Sequence, residues 1–327
     1  MKHRAVPAVM TSLSMVVLMA VGALAGCTKP TQNAGAQSTA PQSAPQPSFA
    51  TPEEALAALI AAAQKQDPQA LQILLGPGTE QLLSSGDAVQ DRRARDAFLA
   101  RYDAYHELDA GSPDRLVLLV GEDRWPSPIP LVREGGRWSW NGAAGARELV
   151  VRRIGADELH TISVMKGFVQ AENDYAAVGR DGGPAGVYAQ KLHSSPGKQD
   201  GLYWEVPSGA SASPAGPLLA DASAEGYAVT GGGGAPYHGY LFRILTSQGA
   251  DANGGARDYL TDGKLTGGFA LLAYPASYDV SGVMTFIVNQ DGVVWQRDLG
   301  KDTAAAAAAI KNFNPDQNWT PLAPEAG

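Results

Sequence analysis

The sequence predicts an α+β fold: N-terminal helices with a curved, cone-like antiparallel sheet, then a long helix packed on a second antiparallel sheet. Three observations carry this. Apolar residues recur at helical spacing between Thr51 and Tyr105, then give way to short strand-like runs between Arg115 and Trp140. A second helical stretch runs from Leu149 to Val178. Beyond it, glycine-bounded apolar runs end in an Asp291-Gly292 hairpin signal.

The first element, residues 1–26, reads as an export signal. A basic start, Met1-Lys2-His3-Arg4, precedes an apolar segment densest from Val16 to Val21. That segment is shorter than the roughly 20 apolar residues a membrane span needs. Small residues close it, as in a secretory signal peptide. Its end, Leu24-Ala25-Gly26-Cys27, holds the only cysteine of the chain and resembles the bacterial lipobox. The resemblance implies cleavage before Cys27 and acylation of that residue. With no second thiol, a disulfide within the chain is excluded. Thr28, rather than aspartate, follows the cysteine; by resemblance to sorting in Gram-negative bacteria this favours the outer membrane. The expected location is therefore a lipid anchor in the cell envelope, facing the periplasm or the cell surface. Residues 27–48 contain no aliphatic side chain larger than alanine before Phe49, so they read as a tether.

From Cys27 onward the chain carries 23 Lys and Arg against 33 Asp and Glu, a formal charge of −10. Nucleic acid is excluded as a partner, because it is bound through clustered Lys and Arg. About 280 remaining residues favour two domains, placed at 49–142 and 143–322.

In the first domain, Thr51-Pro52-Glu53-Glu54 supplies an N-cap, a proline in the first turn and acids near the dipole's positive end. Leu56, Leu59, Ile60 and Ala63 form the buried stripe. Asp67-Pro68 starts a second helix through Leu71, Leu74 and Leu75, and Gly76-Pro77-Gly78 stops it. A third helix is predicted over 91–105. Strands are predicted at 115–120, 129–132 and 137–140. Helices followed by a sheet ending in "GGRWSW" resemble the nuclear-transport-factor-2-like cone. Enzymes on that fold work inside the cone, often with an Asp/His pair. Tyr102, His106, Trp125 and Trp138 are therefore the candidate pocket residues, with Glu107 and Asp109 as the acids near His106. Without a pocket, His106 is a solvated helix end and the tryptophans are core.

The second domain opens with a helical stretch expected to bend near Gly155 and resume at Asp157. Leu159, Ile162, Met165 and Val169 cluster on one side, with Val164, Phe168, Ala171, Tyr175 and Val178 opposite, so burial on both faces is expected. Strand signals follow at 186–189, 201–204, 239–244, 267–275 and 282–288, the last turning into Val293-Val294-Trp295. "GVYA", "GYLFRI", "GGFALLAYPA" and "SGVMTFIVNQDGVVWQ", in that order after a helix, resemble the globular heads of type II secretion pseudopilins and type IV pilins. Here the apolar N-terminal stem of a pilin is replaced by another domain. Across most of its length the chain resembles a bacterial envelope family catalogued as domain of unknown function 2950.

Catalytic chemistry finds little support. Ser195-Pro-Gly-Lys198 matches S-x-x-K in spelling, but Pro-Gly favours a turn over the helical turn that chemistry needs. The Gly231–Gly234 run lacks the flanking residues of a phosphate loop. The histidines show no metal-ligand spacing. The oxygen-rich turns at 251–254 and 289–292 each lack a complete calcium ligand set, although pseudopilin heads sometimes hold calcium in such a loop. No metal and no cofactor is expected. The leading expectation is a non-enzymatic envelope lipoprotein that binds or assembles with an envelope partner. The alternative is a small-ligand binder or enzyme using a pocket in the N-terminal domain.

Overall fold

The computed structural model describes residues 45–206, 212–225, 227 and 235–323; the predicted signal peptide, Cys27, most of the predicted tether and the Gly231–Gly234 run lie outside them. Ala44–Gly327 form one compact unit. The fold is α+β, with open antiparallel sheets.

Helices α1 (Pro52–Gln64) and α2 (Pro68–Leu75) form where their caps predict. Thr51 Oγ1 accepts from the Glu54 N–H at 3.2 Å and Asp67 Oδ1 from the Ala70 N–H at 2.9 Å. Leu56, Leu59, Ile60, Leu71, Leu74 and Leu75 are all buried. Gly76, at φ +87°, ends α2 in a conformation that favours glycine. A short α3 (Glu80–Leu83) leads to α4 (Ala88–Ala104), which starts three residues before the predicted helix because Asp87 caps it.

The first sheet holds β1 (His106–Ser112), β2 (Arg115–Val120), β3 (Trp125–Pro126), β4 (Leu131–Glu134) and β5 (Arg137–Trp140). Strand β2 pairs with β1 along its whole length, and with β3 and β4 at its two ends on the other edge. His106, Glu107 and Asp109 therefore belong to a strand rather than to a helix end. Buried Trp140 donates from Nε1 to the Ala55 carbonyl at 3.1 Å, tying β5 to α1.

Helix α5 (Ala146–Ala176) is one continuous helix of 31 residues, with no break at Gly155. Its buried residues, Val150, Ile154, Asp157, Thr161, Met165, Phe168, Ala171 and Tyr175 among them, form a single stripe. Burial on two opposed faces is therefore corrected: Leu159 is 71% exposed and Val178 54% exposed. The C-terminal part of the stripe packs on a five-stranded sheet ordered β14-β13-β12-β11-β6.

After α5 come α6 (Gly216–Ala224) and β6 (Tyr240–Leu245), then two small ribbons, β7 (Ser247–Gln248) with β8 (Arg257–Asp258) and β9 (Leu260–Thr261) with β10 (Lys264–Leu265). The main sheet is completed by β11 (Ala270–Pro275), β12 (Met284–Asn289), β13 (Trp295–Asp298) and β14 (Thr320–Pro321), with α7 (Thr303–Ala309) between the last two. Residues 186–189 and 201–204 make only isolated bridges, through Tyr188 and Tyr203. Leu271, Ala273, Phe286 and Val288 pack with α5 residues, while Ala270, Leu272 and Ile287 join Ala307, Phe313 and Trp319 in another cluster. Burial on both faces explains why this strand reads as an unbroken apolar run rather than an alternating one. Gly292, at φ +77°, makes the predicted hairpin turn between β12 and β13.

Two side chains of α5 lock these layers together. Arg153 donates to the carbonyls of Gln81 at 2.5 Å, Leu82 at 3.3 Å and Val280 at 3.0 Å, joining α3 to the loop before β12. Glu158 accepts the N–H groups of Val283 and Met284 at 2.9 and 3.0 Å.

Candidate ligand cavity

The N-terminal helices do not close completely on their sheet. A cavity of about 640 Å³ lies between them. Its walls come from α1 (Leu59, Ala63), α2 (Leu71, Leu75), α3 (Leu82, Leu83), β2 (Leu118, Val120) and the aromatic rings of Trp125 and Trp140. The remaining walls are α4 and the N-terminal half of α5, which add the polar groups.

Helix α4 explains the void. Its inward stripe is Gln90, Asp91, Ala94, Arg95, Phe98 and Arg101, the helical spacing of one face. An inward face normally carries large apolar side chains. Here only Phe98 is large and apolar, the others are small, polar or charged, and none of the 17 residues of α4 is buried. Besides Phe98, Leu99 and Tyr102, which pack partly buried against the N-terminal core, the helix is held at its ends. At the N-terminus, Asp87 Oδ1 caps Val89 and Gln90, while its Oδ2 accepts the Tyr227 hydroxyl at 2.9 Å and the Gly239 N–H at 3.1 Å. At the C-terminus, Arg101 pairs with Asp123 at 2.5 Å.

The polar groups on the walls differ in how fully they are engaged. Asp91 accepts the Ser85 N–H on both oxygens, at 3.0 and 3.1 Å. Asp157, 2% exposed, accepts from Gln90 Nε2 on Oδ1, while Oδ2 has no partner. Burial pushes its pKa up to about 7, against the opposing pull of the Gln90 amide and Arg153. Burial lowers the pKa of Arg153, and Asp91 and Asp157 counter that shift. Gln90 Oε1 and Arg95 Nε are also buried without a hydrogen bond.

Of the four predicted pocket residues, Trp125 lines this cavity and the other three do not. Tyr102 and His106 stack on each other with ring centroids 3.9 Å apart, and His106 Nδ1 lies 2.9 Å from the Tyr102 carbonyl. His106 is exposed, so the anticipated acid–histidine pair does not face the cavity. Its neighbour Glu107 bonds Tyr105 and Arg124 instead. Trp138 is buried in the N-terminal core beneath Arg133. Gln90, Arg95, Arg101, Arg153 and Asp157 were not anticipated. Their only signal is that Gln90, Arg95 and Arg101 fall on the face of α4 that should have been apolar.

Beside the cavity, the rings of His160 and His238 lie with centroids 3.6 Å apart at a tilt of 31°, and Glu225 binds both His238 and, at 2.8 Å, Arg93 of α4. Burial holds the pKa of His160 below the usual imidazole range, with the His238 charge adding to the shift. This cluster fastens α4 to α5 and to the segment before β6.

Ser195 has a lysine in reach, but it is Lys191 rather than Lys198. Lys191 Nζ donates to Ser195 Oγ at 2.9 Å and to Asp200 at 2.7 Å. An ammonium held by a carboxylate cannot take the serine proton, and Ser195 itself donates to Asp200 at 2.9 Å. Lys198 closes a turn through its backbone N–H on the Ser195 carbonyl. Among the described residues, no three His, Cys, Asp or Glu side chains are grouped so as to hold a metal ion. The turn at Asp251 is closed by Asn314, at 2.8 Å, and that at Asp291 by Asn289. No helix among the described residues is long and apolar enough to cross a membrane.

Comparison with known families places the chain. The family of proteins of unknown function DUF2950 matches over residues 46–322. The chain belongs to that family. The match takes in both sheets, all seven helices among the described residues, and every wall of the cavity. No curated protein and no solved structure matches, so the resemblances to nuclear-transport-factor-2-like and pilin-head folds gain no support from them.

Proposed function

We propose that this DUF2950 protein is a non-enzymatic, lipid-anchored envelope protein that binds a small, largely apolar ligand in the cavity beneath α4. One observation carries the reading. A 17-residue helix with no buried residue spans a cavity of about 640 Å³ with mostly apolar walls, within the range of sites that enclose small molecules. A helix that packs so little gains burial when the space beneath it is filled, and this favours occupancy by about 25 cal/mol per Å² of apolar surface removed from water. The sequence led first to a module docking an envelope protein; the cavity favours the small-ligand alternative. Anchoring through Cys27 would hold the ligand site at a membrane face.

The experiment is a titration. The chain from Thr28 onward holds the whole compact unit. A neutral naphthylamine dye, fluorescent only in apolar surroundings, is expected to bind it at one saturable site. Absence of saturable binding would refute the cavity reading. The anchor is tested separately: Cys27→Ala is expected to abolish incorporation of labelled fatty acid and release the protein from membranes. Equal labelling of wild type and variant would refute the lipoprotein assignment.

A further inference from the structure

We propose that the cavity's ligand is an aliphatic monocarboxylate whose head is held by Arg95; this rests on the cavity reading above and names its ligand class. Three arginines line the cavity. Arg153 spends its guanidinium on the carbonyls of Gln81, Leu82 and Val280. Arg101 spends its own on Asp123 and the Val120 carbonyl. Arg95 makes no hydrogen bond to any of the described residues. Its nearest acid is Asp96, whose Oδ1 lies 3.9 Å from Nε, and Nε is buried. A buried cationic donor without a partner is costly. A carboxylate answers its forked geometry with two parallel hydrogen bonds.

The other charges limit what the head can be. Asp91 is engaged by Ser85, Asp123 by Arg101, and Asp157 by Gln90. Only Arg101 and Asp123 form an ion pair among these groups, and Arg153 commits its donors to carbonyls, so among the described residues of the wall Arg95 is the guanidinium with donors left for a ligand. One such fork suits a monoanion and disfavours a phosphate or nucleotide, which needs several cationic donors. The remaining walls, with Leu71, Leu82, Phe98, Leu118 and Trp125, suit an unbranched hydrocarbon tail.

The test uses displacement of the neutral dye from the Thr28-onward chain, with dodecanoate and dodecanol compared at submicellar concentrations and neutral pH. Dodecanoate is expected to displace the dye at a concentration roughly ten- to a hundredfold lower than dodecanol, the range for charge-assisted hydrogen bonds. In Arg95→Gln the two compounds are expected to compete equally, and Arg95→Lys should restore part of the preference for the acid. If dodecanol displaces the dye as well as dodecanoate in wild type, the head-group assignment is wrong and the cavity reading stands. A preference for the acid that survives in Arg95→Gln overturns the role of Arg95. If the dye does not bind at all, the cavity reading falls and this proposal with it.

Discussion

Phe168→Ala is expected to destabilise the protein by about 3–5 kcal/mol, the usual cost of emptying a buried phenylalanine site. Phe168 is 2% exposed in the middle of the buried stripe of α5. Its ring meets Phe269 edge-on, with centroids 5.7 Å apart, and it shares a cluster with Met165, Tyr240, Leu271 and Phe286. These neighbours come from α5 and from three separate segments of the C-terminal sheet region, each fixed by other contacts. They cannot collapse to fill the space, so the cavity term adds to the transfer term. Chemical denaturation measures the loss. A change below about 1 kcal/mol would mean that α5 does not rest on that sheet through this stripe.

Glu172→Gln is expected to act in the opposite direction, and only at high pH. Glu172 is fully buried one turn beyond Phe168; one carboxyl oxygen accepts the Ala189 N–H at 2.8 Å and the other has no partner. Burial pushes its pKa up to about 8, partly offset by that N–H. The folded protein therefore holds a proton that the unfolded chain, with a carboxyl near 4.5, has already lost. Stability from this group is fully present below about pH 4.5 and declines as pH rises towards 8. Glutamine keeps the shape and carries no charge to bury. The variant should match wild type within about 1 kcal/mol at pH 5 and exceed it by about 2–4 kcal/mol at pH 8.5. Parallel stability–pH curves for the two proteins would show that Glu172 does not titrate across this window.

Much of the fold was legible because its signals are local. Thr51, Asp67 and Gly76 mark helix ends that the structure keeps, and β2, β5, β6 and the β12–β13 hairpin lie where apolar runs and Asp291-Gly292 put them. The errors have physical causes. Strand β1, with sequence HELDAGS, has no fully buried residue, so it carries no apolar pattern to read. Helix α6 is composed largely of Gly, Pro, Ala and Ser and carries no apolar helical face to read. Gly155 suggested a bend, yet it is exposed on a helix held by partners on either side, and a single glycine costs only about 1 kcal/mol there. The apolar residues at Leu159 and Val178 suggested a second buried face that the fold leaves in solvent.

The candidate site was less legible. Trp125 lines the cavity, but in sequence a large apolar residue that lines a void reads like one that fills a core. Asp157 and Arg153 belong to a helix whose neighbours come from segments more than 60 positions away in sequence, as with Gln90 and Val280. Only the folded chain brings them to one cavity.

The space beneath α4 is the binding site proposed for this protein. Filling it from either side tests this directly. Ala94 on α4 and Ala156 on α5 both line the cavity and are exposed, so neither supports the core. Ala94→Trp and Ala156→Trp should each leave stability within about 1 kcal/mol of wild type and weaken binding of the neutral dye at least about tenfold, since an indole would occupy the ligand's volume. If both folded variants bind the dye as wild type does, its site lies elsewhere and the cavity beneath α4 is not where this protein holds a ligand.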